Sequence, residues 1–220
     1  MKLDLSQAQA QFDEKAEYLR QVDGGKYAAI IESIYGLNKT QQLQAKTYHV
    51  AKKVGAVDSF NNLFKSDDVI SINNATKIST LTGGKLEADK LFMCTHIQLQ
   101  FGNATNLNET KWDRLRNAIM DGVFELKQDD RPIVEQTSCR IFDNAEHHSK
   151  TITGETNAVA GTPNTNTIES ESVGAGLFKL PVTKFFYPQK AISAMLEFAS
   201  VLSANDNIKM TLYGVQNCNI

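Results

Sequence analysis

The chain has 220 residues, a formal net charge of -2 and 41% hydrophobic residues. This length and composition support one substantial hydrophobic core, with room for a small second unit. The nearly neutral charge argues against a polycation that holds nucleic acid through counterion release. The three cysteines, Cys94, Cys139 and Cys218, are odd in number and widely spaced. We therefore expect buried thiols in a reducing compartment rather than a disulfide framework.

The beginning of the sequence is polar and lacks the apolar core of a secretory signal. No stretch reaches the roughly 18 consecutive apolar residues that a membrane-spanning helix requires. The sequence therefore predicts a protein that is made in soluble form in the cytoplasm.

Residues 1–66 follow a helical period and are predicted to form a helical N-terminal arm. One helix follows the cap residue Ser6, a second ends at Gly36, and a third spans residues 40–55. Each helix has one narrow apolar stripe, and isolated helices of this length are marginal in water. The stripes therefore need a cover, which is the following domain and the other helices, a neighbouring subunit, or a membrane. Membrane contact is the least supported, because Lys and Arg are not concentrated beside the stripes. The stripes contain Phe12 and Leu19 in the first helix, Tyr27 and Ile31 in the second, and Leu43, Thr47, Val50 and Val54 in the third.

Residues 67–220 follow the alternating period of β-strands and are predicted to form a β-body. The clearest pattern lies in the last forty residues, which contain two long strands joined by a polar turn. The first of them, residues 191–200, places Ile192, Ala194, Leu196 and Phe198 on one face, and the second, residues 208–215, places Ile208, Met210 and Leu212 on one face.

Further strands are predicted at residues 69–73, 77–81, 91–101, 123–128, 133–142, 177–180 and 183–187. The strand at 91–101 is expected to place Met93, Ile97, Leu99 and Phe101 on one face. An amphipathic helix at 108–121 is inserted between strands, and residues 143–176 are predicted to form a long polar loop.

The predicted fold class is mainly β with an α-helical N-terminal segment. Eight or more strands follow one another too closely for helical crossovers, so they imply antiparallel pairing in a sandwich or barrel. A jelly-roll sandwich is the leading topology, because it accommodates long loops at its corners.

Candidate catalytic and metal-binding groups form no recognisable constellation. Cys94 and His96 share a predicted strand face and His147-His148 follow a strand end, but the further ligands of a cupin-like site are missing after His96. No Gly-x-Ser-x-Gly elbow is present. The acidic pairs Asp67-Asp68 and Asp129-Asp130 are adjacent in sequence, so their side chains should point apart. We therefore predict no enzyme activity, no metal site and no cofactor.

The densest aromatic cluster is Phe185-Phe186-Tyr187, which follows Lys184. Aromatic side chains beside a basic residue can stack on nucleobases or sugars. Strand alternation instead buries at least one face of the cluster, so a core position is the first interpretation and a protein interface the second. The interface candidates named from the sequence are Phe12, Leu19, Tyr27, Ile31, Phe185, Phe186 and Tyr187.

The order of these elements resembles the jelly-roll capsid proteins of small tailless icosahedral bacteriophages. The resemblance covers about residues 68–220 as a pattern of strands. The local sequence similarities are confined to Lys-Leu-Pro-Val at 179–182 and to the closing strand Ile-Lys-Met-Thr-Leu-Tyr-Gly at 208–214. In the larger members of that family the coat protein is a double jelly roll that forms pseudo-hexameric trimers over an internal membrane. This chain is short for two rolls after a helical arm, so we expect a single roll, with a compact double roll as the alternative.

The resemblance implies a structural virion protein whose copies self-assemble into an icosahedral shell through symmetric interfaces. Its partners would be copies of itself and other virion proteins, with an internal membrane as a further contact and no specific nucleic-acid binding. The protein would be made soluble in the host cytoplasm and end in the virion. The alternatives are a jelly-roll module that binds carbohydrate or a receptor and, third, a hydrolase whose site the sequence does not reveal.

Overall fold

A computed structural model of the chain describes residues 10, 11, 14, 42–54, 59, 60, 63, 77–88, 90–107, 117–143 and 176–218. The elements with defined bounds in these ranges are mainly β. They are β1 (Gln42–Lys53), β2 (Ser59–Phe60), β3 (Lys77–Ser79), β4 (Phe92–Asn103), α1 (Asn117–Met120), β5 (Val123–Gln128), β6 (Arg131–Ser138), β7 (Leu177–Phe186), β8 (Ile192–Glu197) and β9 (Asp206–Cys218), with 3-10 turns at Thr82–Gly84 and Cys139–Phe142.

The described strands form two sheets. Sheet A has the order β3-β1-β9-β4-β7, and sheet B has the order β2-β8-β5-β6. Every pairing between these strands is antiparallel. The prediction of a mainly β body with antiparallel pairing is therefore confirmed.

Strand β9 holds sheet A together, because it lies between β1 and β4. Its ladder with β1 covers the whole of β1, and its ladder with β4 covers β4 apart from one irregularity. The alternation in its sequence explains the placement, since Ile208, Met210 and Leu212 are all fully buried on one face. The face predicted for β8 is confirmed in the same way, with Ile192, Ala194, Leu196 and the following Phe198 all buried.

Both sheets contribute to one hydrophobic core. Buried side chains of β1, β4 and β9 belong to the same cluster as those of β5, β6 and β8. Phe142 links the two sheets, because its ring centroid lies 5.1 Å from that of Phe124 in sheet B and 6.0 Å from that of Phe178 in sheet A. Edge-to-face pairs of this kind add to the free energy gained by burying apolar area.

The predicted third N-terminal helix is wrong, because residues 42–53 form strand β1. Leu43, Thr47, Val50 and Val54 match helical spacing, but the side chains that enter the core from the strand are Tyr48 and Val50. The run from Thr47 to Val50 is rich in β-branched and aromatic residues, which favour strands. Strand β9 pairs with β1 along its whole length, and this pairing stabilises the strand conformation. The β-body consequently begins at residue 42 and not at 67.

The predicted face of β4 is also wrong at one end. The register shifts between Cys94 and His96, so the strand contains an irregularity at Thr95. Such a bulge moves the residues before it to the other side relative to those after it. Cys94 and Ile97 therefore both belong to the core cluster, whereas Met93 is buried outside it.

Two predicted strands, 177–180 and 183–187, are one continuous strand, β7, which contains Pro181. Strand β6 likewise contains Pro132 and ends at Ser138, where the predicted strand gives way to a 3-10 turn. Both strands are sheet edges, where a residue without an N–H donor need not break a ladder. The two closing strands lie in different sheets, so the polar turn between β8 and β9 is a crossover rather than a hairpin.

Other predicted elements are described only in part. The inserted helix is seen over Asn117–Met120, with Ile119 and Met120 buried as predicted. The first two N-terminal helices lie outside the described residues, except that residues 10, 11 and 14 have helical backbone. The strand at 69–73 and nearly all of the long polar loop also lie outside them. No helix in the described ranges is long and apolar enough to cross a membrane.

At Gly214 the backbone of β9 lies close against β4. A Cβ atom at this position would overlap the carbonyl oxygen of Met93 and lie 2.9 Å from Cε2 of Phe92. Because backbone cannot move aside cheaply, Gly214→Ala is expected to lower the free energy of unfolding by about 3 kcal/mol. Chemical denaturation measures this difference.

The matched control is Gly83→Ala. Gly83 has a φ of +61°, but no atom lies within 4 Å of the place that an alanine methyl group would occupy. Only backbone strain of about 1 to 2 kcal/mol is therefore expected. Equal losses for the two variants would contradict the close approach of β4 and β9.

Candidate functional site on the outer face of sheet A

The side of sheet A that faces away from the core carries a patterned polar surface, which we call the outer face. In β9, Met210 and Leu212 point into the core. Alternation therefore sends Lys209, Thr211 and Tyr213 to the outer face.

The register of the strands sets the neighbours on this face. Residues that pair across β1, β9, β4 and β7 form rungs that run across the sheet. Three such rungs are Ala45, Val215, Met93 and Phe185; Thr47, Tyr213, His96 and Lys179; and His49, Thr211, Gln98 and Leu177.

Hydrogen bonds fix the polar side chains of the middle of the face. The Tyr213 hydroxyl donates to Oε1 of Gln98 at 2.5 Å, and the Thr95 hydroxyl donates to the carbonyl oxygen of Tyr213 at 3.2 Å. Nδ1 of His96 lies 2.9 Å from the same Thr95 hydroxyl oxygen. Because that hydroxyl has one hydrogen and directs it at Tyr213, neutral His96 carries its proton on Nδ1 and donates to Thr95.

The outer face carries basic side chains that are partly shielded from water. Burial lowers the pKa of His49, and the charge of Lys209 lowers it further. The pKa of His96 is lowered by burial and then by Lys179. Burial also lowers the pKa of Lys209 itself. No carboxylate occupies an outward position of β1, β9, β4 or β7 among the described residues.

One rung of this face is apolar, and we call its three buried members, Val215, Met93 and Phe185, the outer patch; the fourth member, Ala45, is exposed. Their exposed fractions are 0%, 1% and 8%, although none of them belongs to the core cluster. Thr183 lies two residues before Phe185 on β7, and its hydroxyl donates to Oε1 of Gln11 at 2.9 Å. A residue from before β1 therefore touches sheet A beside the outer patch.

The aromatic cluster divides between three environments. Phe186 lies in the core and Phe185 lies in the outer patch, so both are buried within a single chain. Tyr187 is half-buried, and the guanidinium of Arg131 stands 4.8 Å from its ring centroid. Of the three predicted interface residues in this cluster, Tyr187 alone keeps substantial exposure. The other interface candidates, Phe12, Leu19, Tyr27 and Ile31, lie outside the described residues.

The structure separates the two residues of the candidate metal pair. The thiol of Cys94 lies in the core, where it donates to the carbonyl oxygen of His96 at 3.4 Å and burial raises its pKa. The His96 ring stands on the outer face instead, because of the register shift between the two residues. His147 and His148 lie outside the described residues. Within the described residues, no three His, Cys, Asp or Glu side chains converge as metal ligands would.

The acidic pair Asp129-Asp130 forms the turn between β5 and β6. Asp129 has a positive φ of 48° and an ion pair of 2.8 Å with Lys190. The hydrogen bond from Lys190 is the main cause that lowers the pKa of Asp129. Its carboxylate also accepts from the backbone N–H of Ala191. Asp129 therefore secures a turn.

A polar corner ties the two sheets together at the end of β7. The side chain of Gln128, 3% exposed, donates to the carbonyl oxygen of Tyr187 at 2.8 Å and accepts from its N–H at 2.9 Å. Arg131 donates to the carbonyl oxygen of Phe185 at 2.5 Å. These bonds replace the ladder that an edge strand lacks.

The outer face was not predicted from the sequence, although the alternation in the closing strand indicates part of it. Lys209, Thr211 and Tyr213 alternate with buried residues in the closing strand, and that alternation alone places them together. His49 was assigned to a helix, so its position opposite Thr211 could not be inferred. Chemically, the polar part of the face offers hydrogen bonds and positive charge.

Comparisons with protein-family models, with curated proteins and with solved structures found no match to this chain. The function is therefore inferred from the fold and its surfaces.

The two histidines of the outer face predict acid sensitivity. Their folded pKa values lie below the 6.5 of a free histidine, so the unfolded chain binds more protons just below that pH. The free energy of unfolding is therefore expected to fall as the pH drops from about 7.5 to about 5.5. Denaturant titrations across this range measure the slope. In His49→Gln/His96→Gln the slope should be flatter, and an unchanged slope would contradict the assignment.

Proposed function

We propose that the chain is a single jelly roll that serves as a capsid subunit. The observation that carries this proposal is the strand order. A jelly roll is a long antiparallel hairpin wrapped into two sheets, so its first strand pairs with its eighth, its second with its seventh, its third with its sixth and its fourth with its fifth. With β3 set aside as an addition to the edge of β1, the described strands pair in this nested way.

The nested pairs are β1 with β9, β2 with β8, β4 with β7 and β5 with β6. The pairings of β9 with β4 and β8 with β5 are those that wrapping such a hairpin produces. One roll uses all eight of these strands, which favours a single roll over a compact double roll.

A fold supports many functions, so the proposal needs more than topology. The first support is the family resemblance of the closing strand and of the order of elements. The second is the exposure of two apolar side chains, one of them on an edge strand. Val182 on edge strand β7 and Val201 in the crossover before β9 are the exposed large hydrophobic residues among those described, at 65% and 63%. An exposed edge with an apolar side chain favours contact with another chain.

In this function the copies assemble into a closed icosahedral shell, and the partners are other copies and further virion proteins. An internal membrane is an additional contact in such particles. The protein acts in the virion, as a structural component that requires neither a catalytic residue nor a cofactor.

The purified full-length chain tests the proposal through its size. Light scattering and negative-stain microscopy are expected to show uniform particles far larger than the 24.4 kDa of one chain. A monomer or small oligomer at every protein and salt concentration, with saturable binding to a glycan or receptor panel, would instead establish the alternative of a jelly-roll binding module.

A substitution on the edge of sheet A tests where the copies meet. Val182→Asp is expected to reduce the yield of particles about tenfold, because a buried unpaired charge opposes an apolar contact. Its effect on the free energy of unfolding of the single chain should stay within about 0.5 kcal/mol, since the side chain is exposed. Sedimentation velocity measures the first quantity and denaturation the second.

The matched control is Gln136→Asp, which introduces the same charge at an exposed position of β6, the edge of sheet B. Assembly should be close to that of the unmodified chain. Equal yields from Val182→Asp and the unmodified chain would exclude the β7 edge as an assembly contact.

A further inference from the structure

The burial of the outer patch requires another part of the protein to pack on it. Val215, Met93 and Phe185 are almost completely buried, yet they stand on the side of sheet A that the core does not reach. A sheet face is shielded from water only when another part of the protein packs on it. The cover belongs to the same chain, because the burial is that of a single copy.

The hydrogen bond between Thr183 and Gln11 indicates which segment provides that cover. Thr183 and Phe185 are two residues apart on one strand, so their side chains emerge on the same side of the sheet. Gln11 thus approaches the outer face immediately beside the outer patch. Its sequence neighbour Phe12 is a large apolar residue of the right kind to fill a contact with Met93 and Phe185.

The exposure of the three described N-terminal residues shows which of them is turned toward the protein. Ala10, Gln11 and Glu14 have helical backbone, and Ala10 and Glu14 are exposed whereas Gln11 is half-buried. On a helix, residues 3 and 4 apart share a side. Ala8 and Phe12 are four residues apart, and Leu19 follows Phe12 by seven, which is about two helical turns. A helix would therefore carry the three on one stripe, which can face the sheet while Glu14 faces water.

We propose that the outer patch of sheet A is the docking surface for the amphipathic segment 6–23 of the same chain, held by the apolar stripe around Phe12 and positioned by the bond from Thr183 to Gln11. The outer patch is then covered by the start of the chain, whereas the outward residues Ala45, Thr47 and Lys179 stay exposed. This arrangement is a property of one chain and is independent of whether copies assemble into a shell.

A disulfide tests the position of the segment in the full-length chain. Gln11→Cys/Thr183→Cys is made together with Cys218→Ser, while Cys94 and Cys139 are protected by burial. Mild oxidation of the dilute protein should convert more than half of it into an internally cross-linked monomer, which migrates faster on a non-reducing gel. Ala10→Cys/Thr183→Cys is the control, since Ala10 is exposed, and it should cross-link at least about fivefold less.

Thiol labelling tests the cover without requiring disulfide geometry. Val215→Cys should react slowly with a maleimide, and adding Phe12→Asp should raise its rate at least about tenfold. Ala10→Asp adds the same charge at an exposed neighbour and should leave the rate unchanged. Cys94 in the core reports the integrity of the fold, because it stays unreactive unless the whole body opens.

Three outcomes would overturn the proposal. The first is a cross-link that appears as a dimer, because the segment would then dock on another copy. The second is equal cross-linking of Ala10→Cys and Gln11→Cys. The third is a Val215→Cys labelling rate that Phe12→Asp does not change while Cys94 stays protected, which would assign the cover to another segment, such as residues 144–175.

Discussion

The insertion of β9 between β1 and β4 is the constraint on which the rest of sheet A depends. The last described strand of the chain is its central strand, and its partner β1 is the first. The bond from the Tyr48 hydroxyl to Oε1 of Gln216, at 2.5 Å, joins residues 168 positions apart. Sheet A therefore cannot form completely until the two ends of the β-body have paired. Such non-local pairing slows folding and makes the core cooperative, because neither end can bury its apolar face alone.

The register shift at Thr95 connects the core to the outer face. Cys94 faces the core before the shift and Ile97 faces it after the shift, because Thr95 is an extra residue in the strand. The strand therefore buries apolar side chains on both sides of the sheet. The same shift leaves the Thr95 hydroxyl free to bond Tyr213 and His96. Gly214 permits this arrangement, since a side chain there would collide with β4. A local irregularity in one strand thus determines which β4 side chains face the core and which face outward.

The features that depend on alternation within one strand could be predicted from the sequence, whereas those that depend on pairing with distant strands could not. The faces of β8 and β9 could be predicted because each strand alternates regularly over its length. β1 could not, since Val50 and Val54 also fit a helix and only the pairing with β9 excludes one. The bulge at Thr95 has no local signature, so Met93 was placed on the wrong side. Alternation in β9 predicts that Lys209, Thr211 and Tyr213 share a face, but their neighbours on β1, β4 and β7 depend on the register of four strands that are far apart in the chain.

A cover on the outer patch would restrict where a neighbouring copy can bind. If one side faces the core and the other is occupied by the start of the chain, a flat sheet-to-sheet contact would first have to expel Phe185 and Met93 from their apolar cover. The free energy lost in that step would be similar to what the contact gains. Contacts at the sheet edges and crossovers need no such exposure, and the exposed Val182 and Val201 lie there. If the chain is a capsid subunit, its copies are therefore expected to associate through these edges and crossovers.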